Sequence, residues 1–250
     1  MTRTRVGPAG LEERALNAWP ALQSLIVDGW LVRFADGYTK RANSACALPS
    51  GARPLAEAGP AIEDLYRRNG QEPIFRLTPF ATRGDDAWLD ARGYARIEPT
   101  SVMYCEDPAG HATKDPALGF ASTPDETWLA GFIAENRHGT HIRPTLIAML
   151  AAIRVEAFYA TLIIDGEPCG YGLAVIERGC VGLFDILVAS HLRGRGLGRR
   201  LVAGMLAEAV QRGAGAAYLQ VLETNETAIA LYRRLGFTES FSYAYRVAPR

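Results

Sequence analysis

The sequence predicts an α/β (α+β) protein of two related halves, each with a mixed, mostly antiparallel sheet flanked by helices. In the C-terminal half, apolar residues alternate between the two-residue period of strands and the period of about 3.6 residues of helices. Similar elements recur in a similar order in the N-terminal half. A glycine-rich turn joins a strand to an amphipathic helix in the C-terminal half alone. These observations predict the fold class and place the functional site in the C-terminal half.

The C-terminal half begins its sheet with aromatic and β-branched runs separated by Asp-Gly and Arg-Gly turns, a pattern typical of hairpins. The expected strands there are 156–164, 169–176 and 181–188. An amphipathic helix starts near Gly196 and ends at Gly213 and Gly215. The other elements predicted in this half are helices over 125–135, 144–153 and 225–235 and strands over 216–222 and 237–247.

The N-terminal half contains predicted helices over 12–18, 55–68 and 85–91 and predicted strands over 25–27, 30–34, 41–48, 74–77 and 94–104. One offset relates the halves: Leu89 and Gly93 fall on Tyr232 and Gly236, since 232 minus 89 and 236 minus 93 both equal 143. We therefore predict a tandem duplication, with domains over 1–110 and 118–250 and a polar linker over 106–114. The alternative is one α/β domain with coincidental periodicity.

Composition excludes several classes of protein. The chain has 27 Lys and Arg residues against 27 Asp and Glu residues, so its net charge of zero argues against a nucleic-acid or anionic-membrane partner. Its longest apolar stretch without charge, 16–27, is shorter than the roughly 20 residues of a membrane span. The N-terminus lacks the apolar run of a signal peptide. The four cysteines form no C-x-x-C pair, which favours reduced thiols in a cytoplasmic protein without a metal site.

The most informative stretch is the turn at 193–200. Its glycines, Gly194, Gly196 and Gly198, leave backbone N–H groups open at a helix start, where the helix dipole favours a phosphate. Four positive side chains surround this turn: Arg193, Arg195, Arg199 and Arg200. The stretch fits neither a Walker A loop nor the G-x-G-x-x-G fingerprint of dinucleotide-binding folds. We expect a local phosphate cradle in a chain that is neutral overall.

This turn, R-x-x-G-x-G from Arg193, resembles the R/Q-x-x-G-x-G/A signature of the GNAT superfamily of acyl-CoA-dependent N-acetyltransferases. A second motif supports the resemblance at the correct distance downstream: N-x-x-A-x-x-L-Y-x-x-x-G-F from Asn225 to Phe237. The resemblance covers about residues 118–250. It implies a tandem GNAT fold whose N-terminal half is degenerate, because Leu89 replaces Tyr232 there and Arg53 and Leu55 replace two cradle glycines.

The resemblance also implies an activity: transfer of an acetyl group from acetyl-CoA to a primary amine of a small molecule or peptide by direct attack. Tyr232 would be the general acid, although a core aromatic at helical spacing is the structural alternative. The Val188 amide would face the thioester oxygen. The residues implied to bind the cofactor are Ile186, Leu187, Val188, Arg193, Gly194, Arg195, Gly196, Leu197, Gly198, Arg199 and Asn225.

The general base is less defined. Some N-terminal acetyltransferases of the superfamily have Glu where this chain has Gln220, and glutamine cannot accept the proton. Asp185, in an otherwise apolar strand, is a candidate for the base, a substrate-ammonium anchor or a partner of an arginine. Glu223 and Glu226 are nearby alternatives, and a water chain to solvent could also remove the proton.

Further expectations concern the surroundings of this site. The N-terminal half could wall the acceptor site, with 41–44 structural rather than catalytic. His138 and His141 are as well explained by a solvated loop as by a role in the acceptor pocket. The protein would act as a monomer or homodimer. The alternative function is a non-catalytic acyl-CoA-binding sensor or regulatory module.

Overall fold

A computed structural model describes residues 5–136 and 139–249. The helices are α1 (Pro8–Ala18), α2 (Leu55–Arg68), α3 (Arg83–Asp90), α4 (Glu126–Glu135), α5 (Arg143–Ala151), α6 (Leu197–Gln211) and α7 (Glu226–Arg234). The strands are β1 (Gln23–Val27), β2 (Trp30–Phe34), β3 (Cys46–Ala47), β4 (Ile74–Leu77), β5 (Ala95–Cys105), β6 (Leu118–Ala121), β7 (Glu156–Ile164), β8 (Glu167–Glu177), β9 (Cys180–Val188), β10 (Ala216–Leu222) and β11 (Thr238–Val247).

The strands form a small sheet, β1-β2-β3, and an eight-stranded sheet in the order β4-β11-β5-β10-β9-β8-β7-β6. Only β9 and β10 pair in parallel among these strands of the described chain. An isolated parallel bridge between Ala45 and Phe75 links the small sheet to the large one. The predicted mixed, mostly antiparallel architecture flanked by helices is confirmed.

The two halves exchange their last strands. β5, from the N-terminal half, lies between β10 and β11, so that Val102 pairs with both Gln220 and Phe241. In return β11 lies between β4 and β5, where Tyr245 pairs with both Arg76 and Ile97. The order β1-β2-β3-α2-β4-α3-β5 repeats as β7-β8-β9-α6-β10-α7-β11. The division into domains over 1–110 and 118–250 stays a prediction. The large sheet takes strands from both sides of this division.

Side-chain caps set the starts of several helices. Asp125 Oδ1 accepts the Trp128 N–H at 2.8 Å at the start of α4, and Asn225 Oδ1 accepts the Ala228 N–H at 3.2 Å at the start of α7. Thr82 forms a reciprocal capping box with Asp85 before α3. Each such cap contributes about 1 kcal/mol to helix stability.

One hydrophobic core joins the halves. It contains Trp19 and Tyr38 from the N-terminal half and Trp128, Phe184 and Tyr243 from the C-terminal half. Burying a large apolar side chain stabilises a fold by roughly 1.5–3 kcal/mol, so this shared core holds the halves together. A second core packs α6 against the other face of the large sheet.

Most predicted elements are confirmed, five of them to the residue: α2, β2, β4, β7 and β10. The strand predicted over 41–48 is wrong: Lys40–Ala42 forms a 3-10 helix and β3 keeps two residues. The Asn43 side chain explains this, because it hydrogen-bonds the loop backbone at four residues: Ala35, Gly37, Tyr38 and Thr39. β6 was not predicted. In the described part of the chain, every helix is too short or too polar to cross a bilayer.

Candidate active site

The site begins at a bulge in β9. Asp185 has a φ of +51°, and the pairing of β9 with β8 shifts between Phe184 and Leu187. Non-glycine residues seldom adopt this left-handed conformation, and bulges are frequent beside active sites. Parallel pairing with β10 ends at the Leu183–Leu219 pair. Among the described residues no pair of β9 with β10 follows it, and Ile186 and Val188 line a groove.

That groove has a volume of about 800 Å³. It lies between the end of β9, the start of α6 and the helix α7. The predicted site residues that line it are Ile186, Val188, Arg193, Gly194, Gly196, Leu197, Gly198, Arg199, Asn225 and Tyr232. Two predicted cofactor contacts are not on its wall: Leu187 packs against the shared core, and Arg195 is exposed. Alternation of side chains along a strand turns Leu187 to the opposite face.

The glycine turn forms an open cradle at the start of α6. Gly194 and Gly196 have φ of +78° and +76°, and a Cβ on either would meet no atom within 4 Å. Gly196 is the N-cap and supplies no side-chain cap, so the first N–H groups of α6 stay available to an anion. Arg200 lies away from this cradle, since its Nε donates to Asp115 at 2.7 Å. The cradle fits a pyrophosphate group.

Tyr232 lies where the groove meets a smaller cavity. Its side chain is buried, its ring packs against Phe237 at 6.1 Å between centroids, and burial raises its pKa to about 12. The hydroxyl therefore keeps its proton at neutral pH. Asn225, at the same junction, uses Oδ1 as a helix cap and keeps its Nδ2 group for another partner.

The smaller cavity has a volume of about 170 Å³ and shares Ile186, Asn225 and Tyr232 with the groove. Its polar wall also includes Arg41, Asp185 and Gln220. The Gln220 Oε1 atom accepts a hydrogen bond from the Tyr243 hydroxyl at 2.8 Å, which holds this amide in place. Its remaining wall is apolar and comes from β9 and β10.

The Asp185 carboxylate lies on this cavity with one oxygen buried and without a hydrogen-bond partner. Burial raises its pKa to about 7, against the opposing effect of the Arg41 guanidinium. The Asp185 Oδ2 and Arg41 Nε atoms are buried without hydrogen-bond partners. Among the ion pairs of residues 5–136 and 139–249, none joins these two side chains. Buried polar atoms are usually satisfied, so both groups stand out.

Arg41 reaches the cavity from the N-terminal half. Its guanidinium lies 5.8 Å from the Trp19 ring centroid and 5.7 Å from that of Phe184, and its own carbonyl accepts a 2.9 Å hydrogen bond from Arg33. The segment 41–44, expected to be structural rather than catalytic, contains Asn43, which orders the loop. Arg41 of the same segment lines the cavity.

The remaining sequence candidates lie outside the groove and cavity walls. Glu223, Glu226 and His141 are exposed, and His138 falls outside the described residues. Sequence reasoning missed two tyrosines whose pKa the Asp185 charge helps to raise, Tyr38 and Tyr159, burial being the larger cause in both. Both tyrosines are far from Asp185 in the sequence, so no local pattern predicts that they lie near it. Within the described residues, no group of three or more His, Cys, Asp or Glu side chains could hold a metal ion.

Known proteins match this chain over nearly all of its length or over a part of it. The Bacillus subtilis protein described as uncharacterized N-acetyltransferase YobR is 28% identical over 95% of this chain and 97% of its own. The Escherichia coli [ribosomal protein bS18]-alanine N-acetyltransferase is 33% identical over 30% of this chain, and the match spans 51% of that enzyme.

Solved structures show the same fold. A GCN5-related N-acetyltransferase from Kribbella flavida matches with a TM-score of 0.73 at 16% identity, covering 98% of this chain and 97% of that one. A tandem GNAT protein from the clavulanic acid biosynthesis pathway matches with a TM-score of 0.69 at 16% identity, covering 98% and 89%. The model of the family described as probable histone acetyltransferase Rv0428c C-terminal matches residues 9–246. The chain belongs to this family and has the GNAT fold of an N-acetyltransferase.

Proposed function

We propose that the protein transfers an acetyl group from acetyl-CoA to a primary amine of a small molecule or peptide. The observation that carries this proposal is the junction at Tyr232 and Ile186, where the 800 Å³ groove with its phosphate cradle meets the 170 Å³ polar cavity. Donor and acceptor can thus approach one point from two sides, which supplies the proximity that direct transfer needs.

The groove supports acetyl-CoA as the donor, which supplies an activated acetyl thioester. We assign the pyrophosphate to the backbone of Gly194 and Gly196 and to the α6 N-terminus, with Arg193 and Arg199 on the wall beside them. The free edge of residues 186–188 would hydrogen-bond the pantetheine arm, and the Val188 N–H would polarise the thioester carbonyl. The Nδ2 group of Asn225 is a further donor toward the arm.

Proton transfers fall to two side chains. Tyr232 holds its proton at neutral pH and would donate it to the departing thiolate. Asp185, with its pKa near 7, would accept a proton from the amine, whereas the Gln220 amide cannot. A protonated acid and a base with a pKa near neutral are the pair that general acid-base catalysis uses.

Replacing the Tyr232 hydroxyl tests this mechanism. We expect Tyr232→Phe to lower kcat for thiol release by about 10²- to 10⁴-fold, the usual contribution of a general acid. Acetyl-CoA affinity, measured by calorimetry, should change little because the ring is retained. Tyr218→Phe is a matched control, since Tyr218 is buried but lines neither groove nor cavity.

Two outcomes would contradict the proposal. Unchanged thiol release by Tyr232→Phe, with acetyl-CoA still bound, would remove the acid role. Binding of acetyl-CoA to the wild type without thiol release over a panel of small-molecule and peptide amines would favour an acyl-CoA-binding sensor instead.

A further inference from the structure

We propose that the 170 Å³ cavity binds a compact zwitterion, a small free amino acid whose amine contacts Asp185 and whose carboxylate contacts Arg41. This inference rests on the proposed function and names the class of its acceptor. It is carried by the size of the cavity, by two charged side chains on its wall that each keep a buried atom without a hydrogen-bond partner, and by the way the N-terminal half holds Arg41 in place.

The cavity volume sets the size of the acceptor. A cavity of about 150 Å³ in another protein accommodates benzene, so about 170 Å³ suits a molecule of roughly five to eight non-hydrogen atoms. Glycine, alanine and β-alanine fall in this range. An oligosaccharide or a longer peptide is too large to enter the cavity whole.

The charges on the wall set its chemistry. Asp185 and Arg41 both line the cavity, carry buried atoms without partners and form no ion pair with one another. Leaving a buried charged group unpaired costs stability, which binding of an opposite charge recovers. An ammonium would satisfy the Asp185 carboxylate, and a carboxylate would match the planar guanidinium of Arg41.

The position of each charge sets the orientation. Asp185 precedes Ile186, which lies on both the cavity and the groove, so an amine at Asp185 is next to the thioester end of the groove. Arg41 comes from the opposite half of the molecule, between the Trp19 and Phe184 rings. The carboxylate of the acceptor is therefore directed toward the N-terminal half.

Arg41 is preorganised for this contact. Asn43 makes hydrogen bonds to the backbone of Ala35, Tyr38 and Thr39, which fix the loop before Arg41. The Arg33 guanidinium donates to the Arg41 carbonyl at 2.9 Å. A cation fixed before binding loses little entropy on contact with a ligand carboxylate. The N-terminal half thus contributes a substrate contact although its own cradle is absent.

The transfer balances with this acceptor. The amine nitrogen forms a bond to the acetyl carbon while the bond from that carbon to sulfur breaks. The ammonium nitrogen loses two protons in all. One passes to Asp185 and then to solvent, and the other replaces the proton that Tyr232 gives to the thiolate.

Matched acceptors test the proposal in the full-length protein with acetyl-CoA. Thiol release would be measured for glycine, L-alanine and β-alanine, for alaninamide and ethylamine, which lack the carboxylate, and for a tripeptide with N-terminal alanine. We expect kcat/KM for the best free amino acid to exceed that for the other amines by about 10- to 100-fold, as charge-assisted recognition of a carboxylate supplies. A tripeptide or ethylamine that reacts as well as alanine would overturn the proposal.

Variants of Arg41 test whether this side chain causes the preference for amines that carry a carboxylate. Arg41→Gln should raise KM for alanine by about 10-fold or more relative to KM for ethylamine, and Arg41→Lys should recover part of that difference. Loss of the Arg41 cation also raises the pKa of Asp185, but this affects both amines and cancels when the two are compared. Arg53→Gln is the control, because Arg53 is exposed, forms an ion pair with Glu57 and lines neither the groove nor the cavity. If Arg41→Gln does not fold, Arg41→Lys alone serves, and we expect it to lower alanine turnover more than ethylamine turnover. An unchanged ratio of alanine to ethylamine in the folded variant would overturn the proposal.

A binding measurement separates this inference from the proposed function. Calorimetry would compare L-alanine with ethylamine on the protein loaded with coenzyme A. Alanine binding that Arg41→Gln abolishes, without turnover of any amine, would support the zwitterion site and contradict the acetyltransferase. Equal turnover of amines with and without a carboxylate would support the acetyltransferase and contradict the zwitterion site.

Discussion

Asp185 combines two unfavourable features at one residue. Its backbone is in the left-handed region, and its carboxylate has a buried oxygen without a partner. A strained backbone conformation costs about 1–3 kcal/mol and persists where the surrounding structure enforces it, often at active sites. The bulge that holds this conformation directly precedes Ile186 on the wall of the groove, so the strained residue adjoins the site.

Asp185→Asn should stabilise the protein in a pH-dependent way. Because burial raises the folded-state pKa to about 7 from about 4 in the unfolded chain, the wild type loses stability as pH rises from 4 to 7. Asparagine has no such loss. We expect the variant to exceed the wild type in free energy of unfolding by about 1–3 kcal/mol at pH 8, with a smaller difference at pH 4. Urea denaturation at several pH values measures this.

Asp165→Asn is the control for that comparison. Asp165 has a φ of +53°, close to that of Asp185, but it is exposed in the turn between β7 and β8. This substitution keeps the backbone conformation and changes no buried charge. An equal pH dependence for Asp165→Asn and Asp185→Asn would contradict the burial explanation.

The start of α6 is the element that prepares the groove. The chain leaves β9, passes through two left-handed glycines and enters a helix whose buried face packs on the sheet. Packing through Leu201, Val202 and Met205 fixes the helix axis, and the axis directs the free N–H groups into the groove. The helix dipole then adds partial positive charge at the same place.

Gly196→Asp should abolish acetyl-CoA binding. The side chain would project into the open cradle and place a negative charge where the pyrophosphate binds. We expect a loss of affinity of at least about 100-fold in calorimetry, since repulsion replaces attraction. Gly166→Asp is the matched control: it has a φ of +83° and open space around it, yet lies in the turn after β7. Retained affinity in Gly196→Asp would show that the phosphate lies elsewhere.

At the scale of the molecule, the exchanged strands make the halves interdependent. β5 has partners from the C-terminal half on both sides. The buried ion pair of Glu12 with Arg76 joins α1 to β4, which pairs with β11 of the C-terminal half. Arg14 Nε on α1 donates to the Glu177 carbonyl at the end of β8. The cavity takes Arg41 from one half and Asp185 from the other, so the site requires both.

A fragment of residues 106–250 should therefore fail to fold alone. Removing β5 would leave the facing edges of β10 and β11 unpaired and expose the apolar core that they cover. We expect circular dichroism to show no cooperative thermal transition for this fragment, and an equimolar mixture with residues 1–105 to restore one. A cooperative transition of the isolated fragment would show that its half folds independently.

Sequence reasoning succeeded wherever the signal was local. The extents of α2 and β7 follow from periodicity and turn residues, and the cradle follows from three glycines beside four arginines. It failed at β3, where a single asparagine side chain competes with strand pairing for the backbone. It also missed Arg41, because nothing within that segment distinguishes a cavity-lining arginine from a surface one.

The order of strands, glycines and helices was enough to predict a duplicated α/β fold and an open glycine turn at a helix start in the C-terminal half. It left open which strand lies beside which, because the backbone hydrogen bonds of a strand are the same for any neighbouring strand and do not select one sequence. Long-range packing therefore settled the exchange of β5 and β11, the half-buried position of Asp185 and the presence of Asp185 and Arg41 on one cavity wall.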